Sequence, residues 1–320
     1  MWKTIVRRML IMIPQLLALS LVIFLIAQLM PGDALTGMMD PEFTGQDIEA
    51  MREALGLNRP WPVRYVEWIR GMLTGDFGRS YVFHRPVIDL IGERAPNTFR
   101  LALTTTVFFY LIGIPLGVIA GRYRDRWPDK VVVFYTFFAI AMPVIIFAIL
   151  NLWIFAWRLG WFPMMGSVDA RITVGTLQFH LSRLHHLILP ALTGALLGTA
   201  GIINILRDRI VDTENADFIT TARSKGVPKR VLYNRHVFKN SALPIVSGFG
   251  FALAGLLGGS VFIEQIFGFP GMGSLFVTSI VSRDFPTANA LIMIYGVLLI
   301  LGTLLSDIFM MMLDPRIRIK

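Results

Sequence analysis

Six stretches of this chain hold no Asp, Glu, Lys or Arg: 9–32, 101–121, 131–157, 184–206, 240–263 and 285–306. They run from 21 to 27 residues, and a helix needs roughly 20 apolar residues to cross about 30 Å of hydrocarbon. The pattern predicts six membrane-spanning helices, at 9–30, 101–121, 131–157, 187–206, 240–263 and 285–306. A seventh charge-free stretch, 265–282, contains Gly268-Phe269-Pro270-Gly271-Met272-Gly273. In lipid that cluster would leave backbone groups unpaired, so 264–284 is read as a turn or re-entrant segment. Lys3, Arg7 and Arg8 precede the first run as in a cleaved leader, but its apolar region exceeds the roughly 7–15 residues typical of one. It is read as an uncleaved span.

The segments between the runs are patterned too. In 31–100, Ile48, Met51, Ala54 and Leu55 fall at helical spacing over 44–55, with Thr44 and Asp47 in capping-box positions and Gly56 as a stop. Pro60-Trp61-Pro62 leads into a second amphipathic helix over 63–73, ended near Gly75. Together they predict a small helical subdomain resting on the membrane interface through Trp61 and Trp68. In 207–239, Asp212, Thr213 and Asn215 offer N-caps for a short helix over 216–225, with Phe218, Thr221 and Ala222 on one face. Arg223 and Lys225 fill its last turn, Gly226 stops it and Pro228 forbids continuation. A basic amphipathic helix follows over 229–239, with Val231, Leu232, Val237 and Phe238 apolar. Two short helices joined by Gly-Val-Pro suit a docking element for a partner; a helix lying on the membrane surface is the alternative.

Composition agrees with the pattern. Of 320 residues, 55% are apolar and 16% charged, with a mean hydropathy of +0.63, whereas soluble chains carry about 25% charged residues. With both termini inside, the cytoplasmic segments 1–8, 122–130, 207–239 and 307–320 hold 18 Lys/Arg against 8 acids. The external segments 31–100, 158–183 and 264–284 hold 12 against 13. That asymmetry predicts cytoplasmic termini and accounts for the net charge of +9 without a nucleic-acid partner.

Candidate chemistry is sparse. The absence of cysteine excludes a Cys-ligated metal or a thiol nucleophile, and neither a P-loop, an HExxH nor a G-x-S-x-G motif is present. Adjacent His185 and His186 point to different sides of a helix and read as structural or interfacial, not as a metal site. No carboxylate lies inside the six runs; Glu264 and Asp307 sit only at their ends. An ion-coupled secondary transporter would need such groups, and a purely structural scaffold would leave the capped cytoplasmic helix without purpose. Gly113, Gly117 and Gly121, and Gly194 and Gly198, recur every four residues, a stripe that lets helices approach closely. In the fifth run Gly250, Gly255 and Gly259 are candidates for lining a translocation path.

Along nearly its whole length the chain resembles the membrane-spanning permeases of bacterial ABC importers for dipeptides and oligopeptides, in particular the first of their two permeases. The carrying residues are Met30-Pro31-Gly32-Asp33, Leu55-Gly56-Leu57 with Pro60 and Tyr65, Gly75-Asp76-Phe77-Gly78-Arg79-Ser80 and Arg85-Pro86-Val87. Further on they are Glu93-Arg94-Ala95-Pro96-Asn97-Thr98, Phe267-Gly268-Phe269-Pro270-Gly271-Met272-Gly273, Arg283-Asp284-Phe285-Pro286 and Leu313-Asp314-Pro315-Arg316-Ile317-Arg318. The resemblance implies an all-α, six-helix type I importer permease, a second homologous permease, two ATPase subunits and an extracytoplasmic peptide-binding protein. It implies no cofactor of the chain's own, ATP-Mg being held by the ATPases. It also implies that 207–239 carries the family's EAA motif, whose helix docks on an ATPase. Thr220-Thr221-Ala222 stands at the Glu-Ala-Ala positions and Gly226 at the motif glycine, and residues 221–226 fit the peptide branch's Thr-Ala-Arg-x-Lys-Gly. A Leu-Pro expected at Phe238-Lys239 stands five residues later, at Leu243-Pro244. The residues this assigns to ATPase coupling are Phe218, Thr220, Thr221, Ala222, Arg223, Lys225, Gly226 and Pro228.

Overall fold

A computed structural model describes residues 2–29, 49–50, 52–53, 58–249, 255 and 261–313. Outside it lie Gly250, Gly259, the motifs at 30–33, 55–57 and 314–318, and most of the helix expected over 44–55. Its elements are α1 (Trp2–Leu29), α2 (Trp61–Thr74), α3 (Val87–Arg122), α4 (Trp127–Ala141), α5 (Val144–Arg158), α6 (Leu177–Glu214) and α7 (Asp217–Ser224). After these come α8 (229–241), α9 (Leu243–Ser247), α10 (Val261–Ile266), α11 (Met272–Val281) and α12 (Phe285–Leu313). α5 and α8 each contain one π-wound stretch, Leu152–Arg158 and Leu232–Phe238.

Among the described residues α1, α3, α6 and α12 are long and apolar enough to cross a membrane, and a fifth span exists if α4 and α5 count as one. The expectation of one straight helix over 131–157 is corrected: α4 and α5 meet at a 106° bend. Pro143 explains it, because proline removes a backbone donor and pushes the residue before it out of the helical region. Met142 is extended, at φ −80° and ψ 118°. The helices also outrun their apolar cores. α3 starts 14 residues before the charge-free run and α6 continues through Glu214, so each carries a polar extension beyond the hydrocarbon length. The segment 265–282, expected as a turn or re-entrant segment, holds the end of α10, a turn and the ten-residue α11, which is too short to span at 1.5 Å per residue.

The core is the pair α3 and α6. A Cβ on Gly113 would meet Ile202 at 2.5 Å, on Gly117 Leu206 at 3.0 Å and on Gly121 Ile210 at 2.8 Å. The register is the same at all three contacts, so the two helices run parallel. Close packing is thus what the four-residue glycine repeat provides. Gly194 likewise sits against Ile263 and Thr105, and Gly198 against Phe109. Parallel neighbours require the chain to return between them, and the bent α4–α5 segment makes that return. α1 lies against α12, with Leu19 on Gly296 and an Arg8–Asp307 ion pair at 3.2 Å. α2 rests on α1, where Tyr65 bonds Ser20 at 2.8 Å and the Trp68 ring lies tilted 5.9 Å from that of Phe24. It buries no residue fully, as a peripheral helix would.

Candidate functional site

The richest site lies where α6 ends. Asp212 and Thr213 do not cap a new helix; they belong to the last turn of α6, and Asn215 closes it, donating from Nδ2 to the Val211 carbonyl at 3.0 Å. The N-cap position of α7 is Ala216, which offers no side-chain cap, so Asp217 in the first turn is left to answer the free N–H groups electrostatically. α7 covers eight residues, and its buried residue is Ile219, not the expected Phe218–Thr221–Ala222 face. The Ile219 side chain is fully buried and belongs to one apolar cluster with Leu206 and Ile210 of α6, Ala120 of α3, Val132 of α4 and Leu232 and Val237 of α8. One apolar plug therefore joins α7 to four other helices.

Apart from Ala222, the rest of α7 is exposed. Phe218 is 48% exposed, Thr220, Thr221, Arg223 and Lys225 are exposed, and Ala222 is half-buried against the plug. The Thr221 and Ser224 hydroxyls donate back to the carbonyls of Asp217 and Thr220, at 3.0 and 3.1 Å, and so leave the helix surface quiet. Gly226 has φ +75° and no atom within 4 Å of a Cβ built on it; its glycine identity is required by backbone conformation, not by space. The Val227 N–H reaches the Ala222 carbonyl at 3.3 Å to finish the cap, and Pro228 starts α8. The result is a short helix seated by Ile219 that presents an exposed phenyl ring.

The seat itself is pinned by a buried ion pair. Arg207 donates from Nε to Asp129 Oδ1 and from Nη2 to Oδ2, both at 2.7 Å, and the Asp125 N–H donates to the same Oδ2 at 2.9 Å. Asp129 is 2% exposed. The Arg207 guanidinium, opposed by burial and aided by the Asp125 N–H, holds its carboxyl below the ordinary value of 3.8. Ser241 of α8 donates to the Arg209 carbonyl at 3.0 Å, and the Arg122 guanidinium lies 5.0 Å above the Tyr233 ring. α3, α4, α6 and α8 are thus braced to one another around the cluster that holds Ile219.

At the opposite end the quoted motifs converge. Thr98 donates to Glu264 Oε1 at 2.8 Å and accepts the Met272 N–H at 2.7 Å, while Ser274 N–H donates to Glu264 Oε2 at 3.0 Å. Asn97 Nδ2 donates to the Pro270 carbonyl at 2.9 Å. Gly271 and Gly273 lie so close to the Glu264 carboxylate that a Cβ on either would collide with it. A helix-end position in the sequence is therefore a fully buried carboxylate in the fold. Ser80 and Thr287 hydroxyls and the Tyr81 N–H all donate to buried Asp284, tying 75–85 to 283–287. His185 and His186 line an open cavity of about 860 Å³. Each is bonded to a backbone carbonyl, Trp161 at 2.8 Å and Ser182 at 2.7 Å, and no cluster fit for a metal exists among the described residues. Gly255 meets nothing within 4 Å, and Gly250 and Gly259 lie outside the described residues.

Residues 113–319 match the family described as binding-protein-dependent transport system inner membrane component, and residues 1–102 match its N-terminal companion family. The oligopeptide transport system permease protein AppB of Bacillus subtilis (strain 168) is 39% identical over 315 residues, 98% of each chain. The glutathione transport system permease protein GsiC of Escherichia coli (strain K12) is 33% identical over 320 residues, the full length of both. Among solved structures, the inward-facing MetNI methionine ABC transporter aligns at a TM-score of 0.56 and 14% identity, covering 70% of this chain and 96% of that one.

Proposed function

The chain belongs to the binding-protein-dependent transport system inner membrane components, and on that premise we propose that it is one of two homologous permease subunits of an ATP-driven peptide importer. It carries no catalytic group of its own; two partner subunits bind and hydrolyse ATP-Mg, and an extracytoplasmic binding protein delivers the peptide. Both termini and the α7 end of the bundle face the cytoplasm, which places the Glu264 end outside. Peptides are the substrate class because the oligopeptide and glutathione permeases match over almost the full chain. A stand-alone secondary transporter is the weaker reading, since Glu264 is held by hydrogen bonds from Thr98 and Ser274 inside a packed turn.

The observation that carries the coupling role is the plugged helix α7: buried Ile219 inside, exposed Phe218, Thr220, Thr221, Arg223 and Lys225 outside. An ATPase groove gripping the outer face would move Ile219, and Ile219 would move α3, α4, α6 and α8 together. That rigid transfer is what alternating access between two packings requires. Gly226→Val tests it. A non-glycine residue at φ +75° costs about 1–2 kcal/mol, so the cap loosens and peptide uptake per ATP hydrolysed should fall about tenfold with the complex still assembled. Unchanged uptake in a normally assembled complex would sink the lever role.

A further inference from the structure

The open cavity lined by His185 and His186 holds about 860 Å³, within the roughly 300–1,000 Å³ of small-ligand sites. Residues 163–172 form one wall and residues 178–186 of α6 the other. The first wall is tied down on two sides. The Asp169 N–H donates to Ser182 Oγ of α6 at 3.0 Å, and the Gly166 N–H donates to the Phe267 carbonyl at 3.1 Å. Met165 packs so close to Gly268 that a Cβ there would meet its side chain at 2.9 Å. The cavity is therefore joined to the turn beside Glu264, at the same end of the bundle.

Its polar chemistry is one-sided. Asp169 lines it, with Oδ1 accepting the Arg171 N–H at 2.9 Å and Oδ2 without a partner among the described residues. Each histidine is bonded to a carbonyl, which can only accept, so the bonded nitrogen carries the hydrogen. These are His185 Nε2, 2.8 Å from the Trp161 oxygen, and His186 Nδ1, 2.7 Å from the Ser182 oxygen. His185 Nδ1 and His186 Nε2 are then left as acceptors in the neutral rings. No lysine or arginine lines the cavity among the described residues, although the chain carries 30 of them and a net charge of +9. Arg171 contributes its backbone N–H, and the Arg183 guanidinium lies over the Phe179 ring. An anion entering here would meet a carboxylate with no cation to answer it, and the described acids and histidines do not cluster as metal ligands. A primary ammonium group fits: it brings positive charge to Asp169 and three N–H donors to a carboxylate and two imidazoles. Met165 and Leu181 supply apolar wall for a side chain next to it. Resting on the peptide-importer reading, we propose that this cavity receives the N-terminal ammonium group of the arriving peptide, with Asp169 as its counter-ion and His185 and His186 as acceptors.

The test measures binding of two labelled probes, trialanine with a free and with an acetylated N-terminus, to the assembled complex in lipid nanodiscs without binding protein. The free amine should bind about tenfold tighter than the acetylated probe. Asp169→Asn keeps an Oδ1 acceptor for the Arg171 N–H and should abolish that difference by weakening the free amine alone. Asp169→Glu keeps the charge and should retain most of the preference. Equal affinity for the two probes in wild type, or no binding of either, would overturn the inference. So would an equal loss for both probes in Asp169→Asn, which would show a structural role. A defect of that variant in uptake with unaltered probe binding would assign the cavity to a contact with the binding protein and overturn the inference too. Uptake of free trialanine by the wild-type complex with binding protein and ATP is read in parallel. Its absence would overturn the peptide reading, whereas uptake by a complex with no ammonium preference would overturn the cavity's role alone.

Discussion

Arg207→Ala is expected to destabilise the protein by about 3–5 kcal/mol, because it leaves the Asp129 carboxylate buried with only the Asp125 N–H as partner. The bidentate geometry, two bonds of 2.7 Å, means that no water-filled gap softens the loss. Asp129→Leu combined with Arg207→Met removes both charges and should recover much of the stability, since a matched apolar pair avoids the desolvation penalty. Thermal unfolding of the purified protein in detergent reads all three variants. A single variant as stable as wild type would remove the pair from its bracing role. The same pair sets an acid limit. The carboxyl of Asp129 is held below 3.8 in the folded state, so its contribution is present at neutral pH and disappears as pH falls through that lowered value. Stability from this pair should be flat from pH 8 to 5 and drop only below about 4.

Ile219→Ala is the second large effect. Truncating a fully buried isoleucine costs about 2–5 kcal/mol, and here the loss falls on one eight-residue helix and not on the whole bundle. α7 should open locally, so trypsin should cut after Arg223 and Lys225 at least about tenfold faster than in wild type, with α3 and α6 still intact. Peptide uptake should be lost while ATP hydrolysis by the partner subunits persists. Phe218→Ala removes exposed surface and should leave the cleavage rate unchanged while weakening ATPase association. Equal trypsin rates in the Ile219 variant and wild type would contradict the plug.

Much of this architecture was legible in hydropathy alone. The charge-free runs 101–121, 184–206 and 285–306 fall inside α3, α6 and α12, and the described part of 9–32 inside α1, because span length follows directly from hydrocarbon thickness; most of 240–263 lies outside the described residues. The glycine repeats named their packing surface, although only the fold shows that Gly113, Gly117 and Gly121 all face α6. The break at Met142 had a visible cause in Pro143, but its 106° size depends on what α5 packs against. The end of α6 was misplaced because Asp212, Thr213 and Asn215 suit either a helix start or a polar helix end. On α7, Phe218 with Thr221 and Ala222, or Ile219 with Ala222, make equally good stripes in an eight-residue window, one residue of rotation apart. Which one faces inward is decided by the plug cluster, which draws on residues from 120 to 245. Asp129 and Arg207 are 78 residues apart, and Thr98 and Glu264 are 166 apart; pairings over such distances leave no local signal. The motif stretches at 75–80, 93–98, 267–273 and 283–286 were recognisable singly, and the fold gives them a shared physical reason by gathering them around two buried carboxylates.

The central claim is that this chain moves peptide only when ATPases drive it through α7. The most direct measurement is uptake of a labelled peptide into vesicles holding the chain and its partner permease, with the binding protein present, before and after the two ATPase subunits and ATP are supplied. Uptake should be absent without them, appear with them, and vanish again in the Ile219→Ala variant. Peptide accumulation by the permease pair alone, or unaltered ATP-driven uptake in that variant, would contradict the account.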